Sequence, residues 1–153
     1  HIVNTASVAG LLSPPAMGVY NASKHAVVSL TETLYHDLQL AGGQVGCSLL
    51  CPAFVPTGIA DAERTRPDTL RNDAAPTRSQ LAADRQLHRA VQSGKRTAED
   101  VADLTFEGIA AGRFYLLTHP GILDTVRLRH EDIEQQRNPT DPLSLKPEVK
   151  HVG

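Results

Sequence analysis

Residues 2–24 read IVNTASVAGLLSPPAMGVYNASK, and their pattern indicates the fold class. It opens with a short apolar run of the kind that forms a strand. A loop that contains prolines and glycines follows, and from about Tyr20 to Leu40 the apolar residues recur at helical spacing. A strand, a loop and a long helix in this order predict the first part of a β-α-β unit.

Three polar residues in this stretch suit proton transfer. Tyr20 and Lys24 are four positions apart, so a helix places them on one face, one turn from each other. An ammonium beside a phenol stabilises the phenolate form, which would let Tyr20 give or take a proton. Ser7 ends the strand, where its hydroxyl would hold a substrate oxygen next to the phenol. Together they predict a site that moves a proton on and off a carbonyl or an alcohol.

A second apolar segment, residues 45–51, contains both cysteines, Cys47 and Cys51. On a strand these residues are about 13 Å apart, at roughly 3.3 Å per residue, which is too far for a disulfide. No nearby His or Cys completes a metal-ligand set, so no metal site is expected here. We expect two buried thiols, a usage that suits a reducing cytosol.

The order of the elements predicts a small parallel sheet. We expect strands near residues 1–6, 45–51 and 114–118, adjacent in that order, because short strands joined through a helix pair in parallel with a right-handed crossover. The long helix should pack across them. Its periodicity places four apolar residues on one stripe: Ala26, Leu30, Leu34 and Leu38.

Residues 58–77 differ from the flanking chain because charged residues and prolines accumulate there. Such long polar segments are surface loops that are often functional lids. The residues alone do not distinguish between a solvated insertion and a substrate lid. Further helices are expected over about 79–91, after a capping pattern at Thr97, and over 130–136.

The residues that flank the three polar side chains resemble a known family. Asn4-Thr5-Ala6-Ser7-Val8-Ala9-Gly10, then Tyr20-Asn21-Ala22-Ser23-Lys24, then Pro52-Ala53-Phe54-Val55-Pro56-Thr57 follow one another at intervals that resemble the short-chain dehydrogenase/reductase family in its compact branch. The resemblance is close over residues 1 to about 60 and looser to about 120. It implies an α/β fold, the C-terminal portion of a Rossmann-like doubly wound parallel sheet, and it favours the lid over the insertion.

The resemblance also implies an activity. It implies an NAD(P)-dependent oxidoreductase that interconverts an alcohol and a ketone or aldehyde by hydride transfer. NAD or NADP would carry the hydride, since no side chain can do so. Ser7 would polarise the substrate oxygen, Tyr20 would act as general acid or base, and Lys24 would assist the tyrosine.

The family's pattern adds contacts to the cofactor. It makes Tyr20, Lys24, Pro52, Val55 and Thr57 cofactor-binding residues. The lysine would hold the nicotinamide ribose, while the backbone of Val55 and the side chain of Thr57 would bind the carboxamide.

Each residue also has an ordinary structural interpretation. A hydroxyl at a strand end, such as that of Ser7, often satisfies nearby backbone groups. Tyr20 and Lys24 would also serve as a surface helix pair, and Pro52 and Thr57 as the end of a strand and the cap of a helix. The order and spacing of the motifs favour the catalytic interpretation.

The glycine-rich turn and the Asn-Asn-Ala-Gly stretch of the family have no counterpart in this sequence. We therefore expect residues 1–137 to be the C-terminal part of a longer cofactor-binding domain, with 58–95 as its substrate-loop region and 138–153 as a disordered tail. One alternative is a truncated, inactive protein that acts only as an interaction partner. Another is the chemistry of sugar epimerases and dehydratases, against which the lack of an obvious sugar-nucleotide domain argues.

Composition excludes other classes of protein. The net charge of −2 and the absence of a basic stripe argue against nucleic acid as a partner. No apolar run approaches the roughly 20 residues that span a bilayer, so no membrane is expected. The remaining expectation is a cytoplasmic protein with a small-molecule alcohol or carbonyl substrate, and a homo-oligomer when full length.

Overall fold

A computed structural model describes residues 1–145 of the chain. The described part contains three strands and four α-helices: β1 Ile2–Thr5, α1 Gly18–Leu40, β2 Cys47–Cys51, α2 Arg78–Gln92, α3 Ala98–Ala110, β3 Tyr115–Leu117 and α4 Leu123–Glu134. The strands and helices alternate in the α/β manner that the sequence predicts. None of the helices in this range is long and apolar enough to cross a bilayer.

The three strands form one parallel sheet in the order β1-β2-β3. Ile2 pairs with Cys47 at one end of β1, and Leu50 pairs with Leu116 on the other side of β2. The central strand is buried along its whole length. The order and the parallel orientation confirm the predicted fold class. The complete burial of β2 is typical of a parallel strand that is covered on both faces.

Helix α1 connects β1 to β2 and packs on the sheet, but not through the stripe that the periodicity suggests. Leu30, on that stripe, is 70% exposed, whereas Val28 and Thr31 are buried. Thr31 can face inward because its hydroxyl accepts a hydrogen bond from the Asn4 side chain at 3.1 Å and donates to the Val27 carbonyl at 2.6 Å. A polar residue that is satisfied in this way is a stable part of a core, which an apolar pattern cannot reveal.

Both cysteines are buried and free, as predicted. Cys51 belongs to the core of the sheet together with Ala6, Val28 and Leu49. Burial raises the pKa of the Cys51 thiol to about 11. The two cysteines are therefore packing residues in the uncharged form.

The chain divides into two compact units, Phe54–Ala102 and the remainder. The first of these contains short exposed turns over much of 58–77 and then α2, which begins with a capping box between Thr77 and Gln80. The expected substrate-loop region, 58–95, lies within this unit.

The C-terminal helix begins earlier than predicted. The sequence suggests a helix over 130–136, whereas α4 covers Leu123–Glu134 and follows a turn at Pro120–Ile122. Its buried residues are Thr125 and Asp132, both polar, so no apolar stripe marks the start of the helix. Of the expected tail, residues 146–153 lie outside the described part of the chain.

Candidate active site

Ser7 lies two residues after the end of β1 and caps the turn Val8–Gly10. Its side chain is buried, and its hydroxyl oxygen accepts a hydrogen bond from the Ala9 amide at 3.2 Å. The hydroxyl also donates to the Pro52 carbonyl at 3.4 Å, while that carbonyl accepts a shorter bond of 2.9 Å from the Val8 amide. Because 3.4 Å is beyond the usual hydrogen-bond range, the serine proton can turn to a ligand oxygen at little cost.

Tyr20 lies in the first turn of α1 and is half-buried. Its hydroxyl makes no hydrogen bond to any other residue of 1–145. The Lys24 ammonium lies 5.6 Å from the centre of the Tyr20 ring, within the range of a cation–π contact, and donates to the Thr5 carbonyl at 3.3 Å. The phenol hydroxyl is thus free to meet a ligand, next to a positive charge at the end of β1.

Gly10 allows the turn after Ser7 to approach helix α1 closely. A Cβ atom at this position would lie 2.7 Å from the Lys24 carbonyl oxygen and 2.8 Å from Cγ2 of Val28. Real Cβ atoms do not come so near, so a side chain here would push the turn away from the helix. The sequence motif contains Gly10, but its role becomes visible only in this packing.

Asn21 is a second positioning residue that sequence reasoning missed. It is buried, and its amide nitrogen donates to the Pro14 carbonyl at 2.8 Å, which ties the loop between Ser7 and Tyr20 to the helix. One turn along α1, Nδ1 of His25 lies 2.9 Å from the Asn21 carbonyl oxygen and must donate to it. The only signal in the sequence is that an asparagine directly follows Tyr20.

The predicted cofactor contacts are divided between the two units. Pro52 directly follows β2, and its carbonyl accepts the long bond from Ser7. The amide of the next residue, Ala53, donates to the Thr118 hydroxyl at 3.1 Å. Val55 is half-buried and Thr57 is exposed, and both belong to the unit Phe54–Ala102. Thr57 precedes a short turn without capping it through its side chain, so the ordinary role of a cap does not account for its hydroxyl.

Within residues 1–145 there is no cluster of three His, Cys, Asp or Glu side chains that could hold a metal ion. A serine hydroxyl, a phenol and an ammonium lie in the unit that contains His1–Ala53. Lys24 contacts the Tyr20 ring and the carbonyl of Thr5, two residues before Ser7. This set can orient an oxygen and exchange a proton with it.

Comparisons with known proteins find similar dehydrogenases. The family model described as short chain dehydrogenase matches residues 1–68. The chain is 36% identical over 121 residues to a CLA biosynthesis dehydrogenase/reductase of Lactiplantibacillus plantarum, a match that covers 78% of this chain and 42% of that protein. It is 28% identical over 133 residues to 1-deoxy-11-beta-hydroxypentalenate dehydrogenase of Streptomyces exfoliatus, covering 87% and 40%.

A solved structure is more similar still. The crystal structure of a short chain dehydrogenase/reductase from Burkholderia phymatum in complex with NAD is 84% identical and superposes with a TM-score of 0.91. The match covers 94% of this chain and 51% of that one, so the chain spans about half the length of the proteins it matches. Motifs, fold and similarity agree: the chain belongs to the short-chain dehydrogenase/reductase family.

Proposed function

We propose that the protein to which this chain belongs is an NAD(P)-dependent oxidoreductase that interconverts an alcohol and a ketone or aldehyde. The observation that carries the proposal is the unpartnered phenol of Tyr20 beside the Lys24 ammonium, in a unit that also holds the loosely engaged hydroxyl of Ser7. The dehydrogenase names of the relatives and the NAD in the Burkholderia phymatum structure support the same class of reaction.

The chain's own residues would provide the proton chemistry. In the direction of reduction, the Tyr20 hydroxyl donates its proton to the substrate oxygen, and the resulting phenolate is stabilised by the charge on Lys24. Ser7 donates a hydrogen bond to the same oxygen after leaving its long contact with the Pro52 carbonyl. In the direction of oxidation the same phenolate removes the proton from the alcohol.

The residues present fit a nicotinamide cofactor. The Lys24 ammonium has three donors and uses one on the Thr5 carbonyl, which leaves two for ribose hydroxyls. For Val55 and Thr57, the proposed contact with the carboxamide rests on the family resemblance alone. When bound, the nicotinamide supplies or accepts the hydride at the substrate carbon.

The test compares wild-type full-length protein with Tyr20→Phe, using NAD and NADP and a panel of secondary alcohols and ketones. Loss of a general acid or base should lower kcat by about 10² to 10⁴. The Kd for the nucleotide, measured by calorimetry, should stay close to the wild-type value because the ring remains. Tyr35→Phe is the matched control, since this ring contacts Phe114 and His36 and none of the proposed catalytic groups.

Wild-type kcat in the Tyr20→Phe variant would contradict the assignment of the tyrosine. The inactive-partner alternative predicts no turnover of any panel member by the wild-type full-length protein. The same experiment therefore separates the two functions.

A further inference from the structure

A cleft of about 250 Å³ lies between helix α4 and two other parts of the same unit. One wall is the loop after the Val8–Gly10 turn, at Leu12 and Ser13, and another is the segment 137–142. Ser7, Tyr20 and Lys24 do not line it. At about 30 Å³ per water molecule, the cleft has the volume of roughly eight waters, and thus of a small organic molecule.

A buried carboxylate fixes the shape of this C-terminal cleft. Asp132 is 5% exposed and accepts hydrogen bonds from Nε of Arg137 at 3.0 Å and from the Thr140 amide at 2.8 Å. The bond from the Thr140 amide, together with the nearby guanidinium, lowers the pKa of Asp132. These charge-assisted hydrogen bonds hold the segment that carries Pro139 against α4 and fix the position of this wall of the cleft.

Arg129 is the third charged residue of the lining, and it lies outside the ion pair of Asp132 and Arg137. The Arg137 guanidinium lies within 4 Å of two carboxylates, those of Asp132 and Glu131. Arg129 is half-buried and forms no ion pair with any residue of 1–145. Because Asp132 is already engaged by Arg137 and no carboxylate of residues 1–145 forms an ion pair with Arg129, the Arg129 guanidinium remains available to an anion that enters the cleft.

The rest of the lining is largely apolar. Leu12 is buried, and Leu128, one position before Arg129, is half-buried. Pro139 and Pro142 add apolar surface from the C-terminal side. An apolar cleft with one unpaired guanidinium is suited to a molecule that has an apolar body and one carboxylate, since arginine binds a carboxylate through two parallel hydrogen bonds.

We propose that the C-terminal cleft binds a small organic acid, with its carboxylate on Arg129 and its apolar body against Leu12 and Leu128. The acid is either the charged end of the substrate or a separate ligand. The first possibility, the charged end of the substrate, rests on the proposed function. It is favoured because Leu12 lies in the loop from Ser7 to Tyr20, which the Asn21 side chain ties to helix α1.

The test measures binding of hexanoate, which has eight non-hydrogen atoms, to the full-length protein by calorimetric titration. Hexanamide is the neutral probe of equal size. Hexanoate should bind at least about tenfold more tightly than hexanamide, because a charge-assisted pair is stronger than a neutral one. Arg129→Gln should abolish this preference, and Arg129→Lys should retain part of it.

Arg127→Gln is the matched control. Arg127 lies on the same helix but is exposed, is paired with Asp124 at 2.9 Å and does not line the cleft. It should keep the wild-type preference for hexanoate. Equal affinity of the wild-type protein for the two probes, no binding of hexanoate at millimolar concentration, or a preference that survives in Arg129→Gln would each overturn the proposal.

Inhibition kinetics then distinguish the two sources of the acid. If the cleft holds the end of the substrate, hexanoate competes with the alcohol; if it holds a separate ligand, hexanoate changes kcat without competing. Both patterns support the cleft as an acid site. If the full-length protein turns over no alcohol or ketone, the proposed function fails. The calorimetric titrations still test whether Arg129 binds the carboxylate.

Discussion

Replacing Gly10 by alanine tests whether the close packing of the turn on helix α1 organises the site. The added Cβ would lie 2.7 Å from a backbone carbonyl oxygen of α1 and 2.8 Å from a methyl group of Val28, which is itself buried. Neither neighbour is the free end of a flexible side chain, so the turn must move. Overpacking of this kind typically costs 1–3 kcal/mol, and we expect about 2–3 kcal/mol because two contacts are too short.

Thermal unfolding of the full-length protein measures this cost. At about 2–4 °C per kcal/mol for a domain of 150–250 residues, Gly10→Ala should lower Tm by about 4–12 °C. The kcat should also fall, because the turn that moves away from Lys24 is the one that Ser7 caps. Nucleotide affinity should change less than kcat, since the turn itself is not among the proposed cofactor contacts.

Gly18→Ala is the control for a glycine that has no such neighbour. No atom lies within 4 Å of a Cβ at Gly18, which is the first residue of α1. Alanine is a better helix former than glycine, by up to about 1 kcal/mol, so this variant should be neutral or slightly more stable. A Gly10→Ala protein with the Tm and kcat of the wild type would refute the packing argument.

Three further predictions concern other parts of the chain. Ser7→Ala in the full-length protein should lower kcat and leave the Kd for the nucleotide unchanged; unchanged kcat would exclude the serine from the reaction. At pH 8 about 0.1% of Cys51 should be thiolate, given its raised pKa of about 11, so a thiol reagent followed by mass mapping should leave Cys51 unlabelled until the protein unfolds. The hydrogen bond to the Asp84 carbonyl, and then the Asp61 carboxylate, raise the pKa of His88 above 6.5. The stabilisation of α2 by protonated His88 is therefore complete below pH 6.5 and is lost as pH rises through the folded pKa. The opening of α2, measured by hydrogen exchange, should become more frequent in that direction, and opening that is independent of pH would contradict the pairing.

The family and most of the secondary structure can be predicted from the amino-acid sequence. The spacing from Ser7 to Tyr20 and Lys24, and the motif that ends at Thr57, identify the family before any coordinate is known. The sequence pattern predicted the three strands, α1 and α2 within a few residues, and the capping pattern at Thr97 predicted the start of α3. These features are readable because each depends on residues close together in the chain.

The residues that support the site become visible only once the chain is packed. Thr31 faces the core because Asn4, 27 positions away, binds its hydroxyl. Gly10 matters because of a carbonyl on the next helix, and the wall of the C-terminal cleft exists because Asp132 holds the Thr140 amide. A periodic pattern reports the burial of one element, whereas these roles arise from contacts between elements, whose distances are set only when the chain packs.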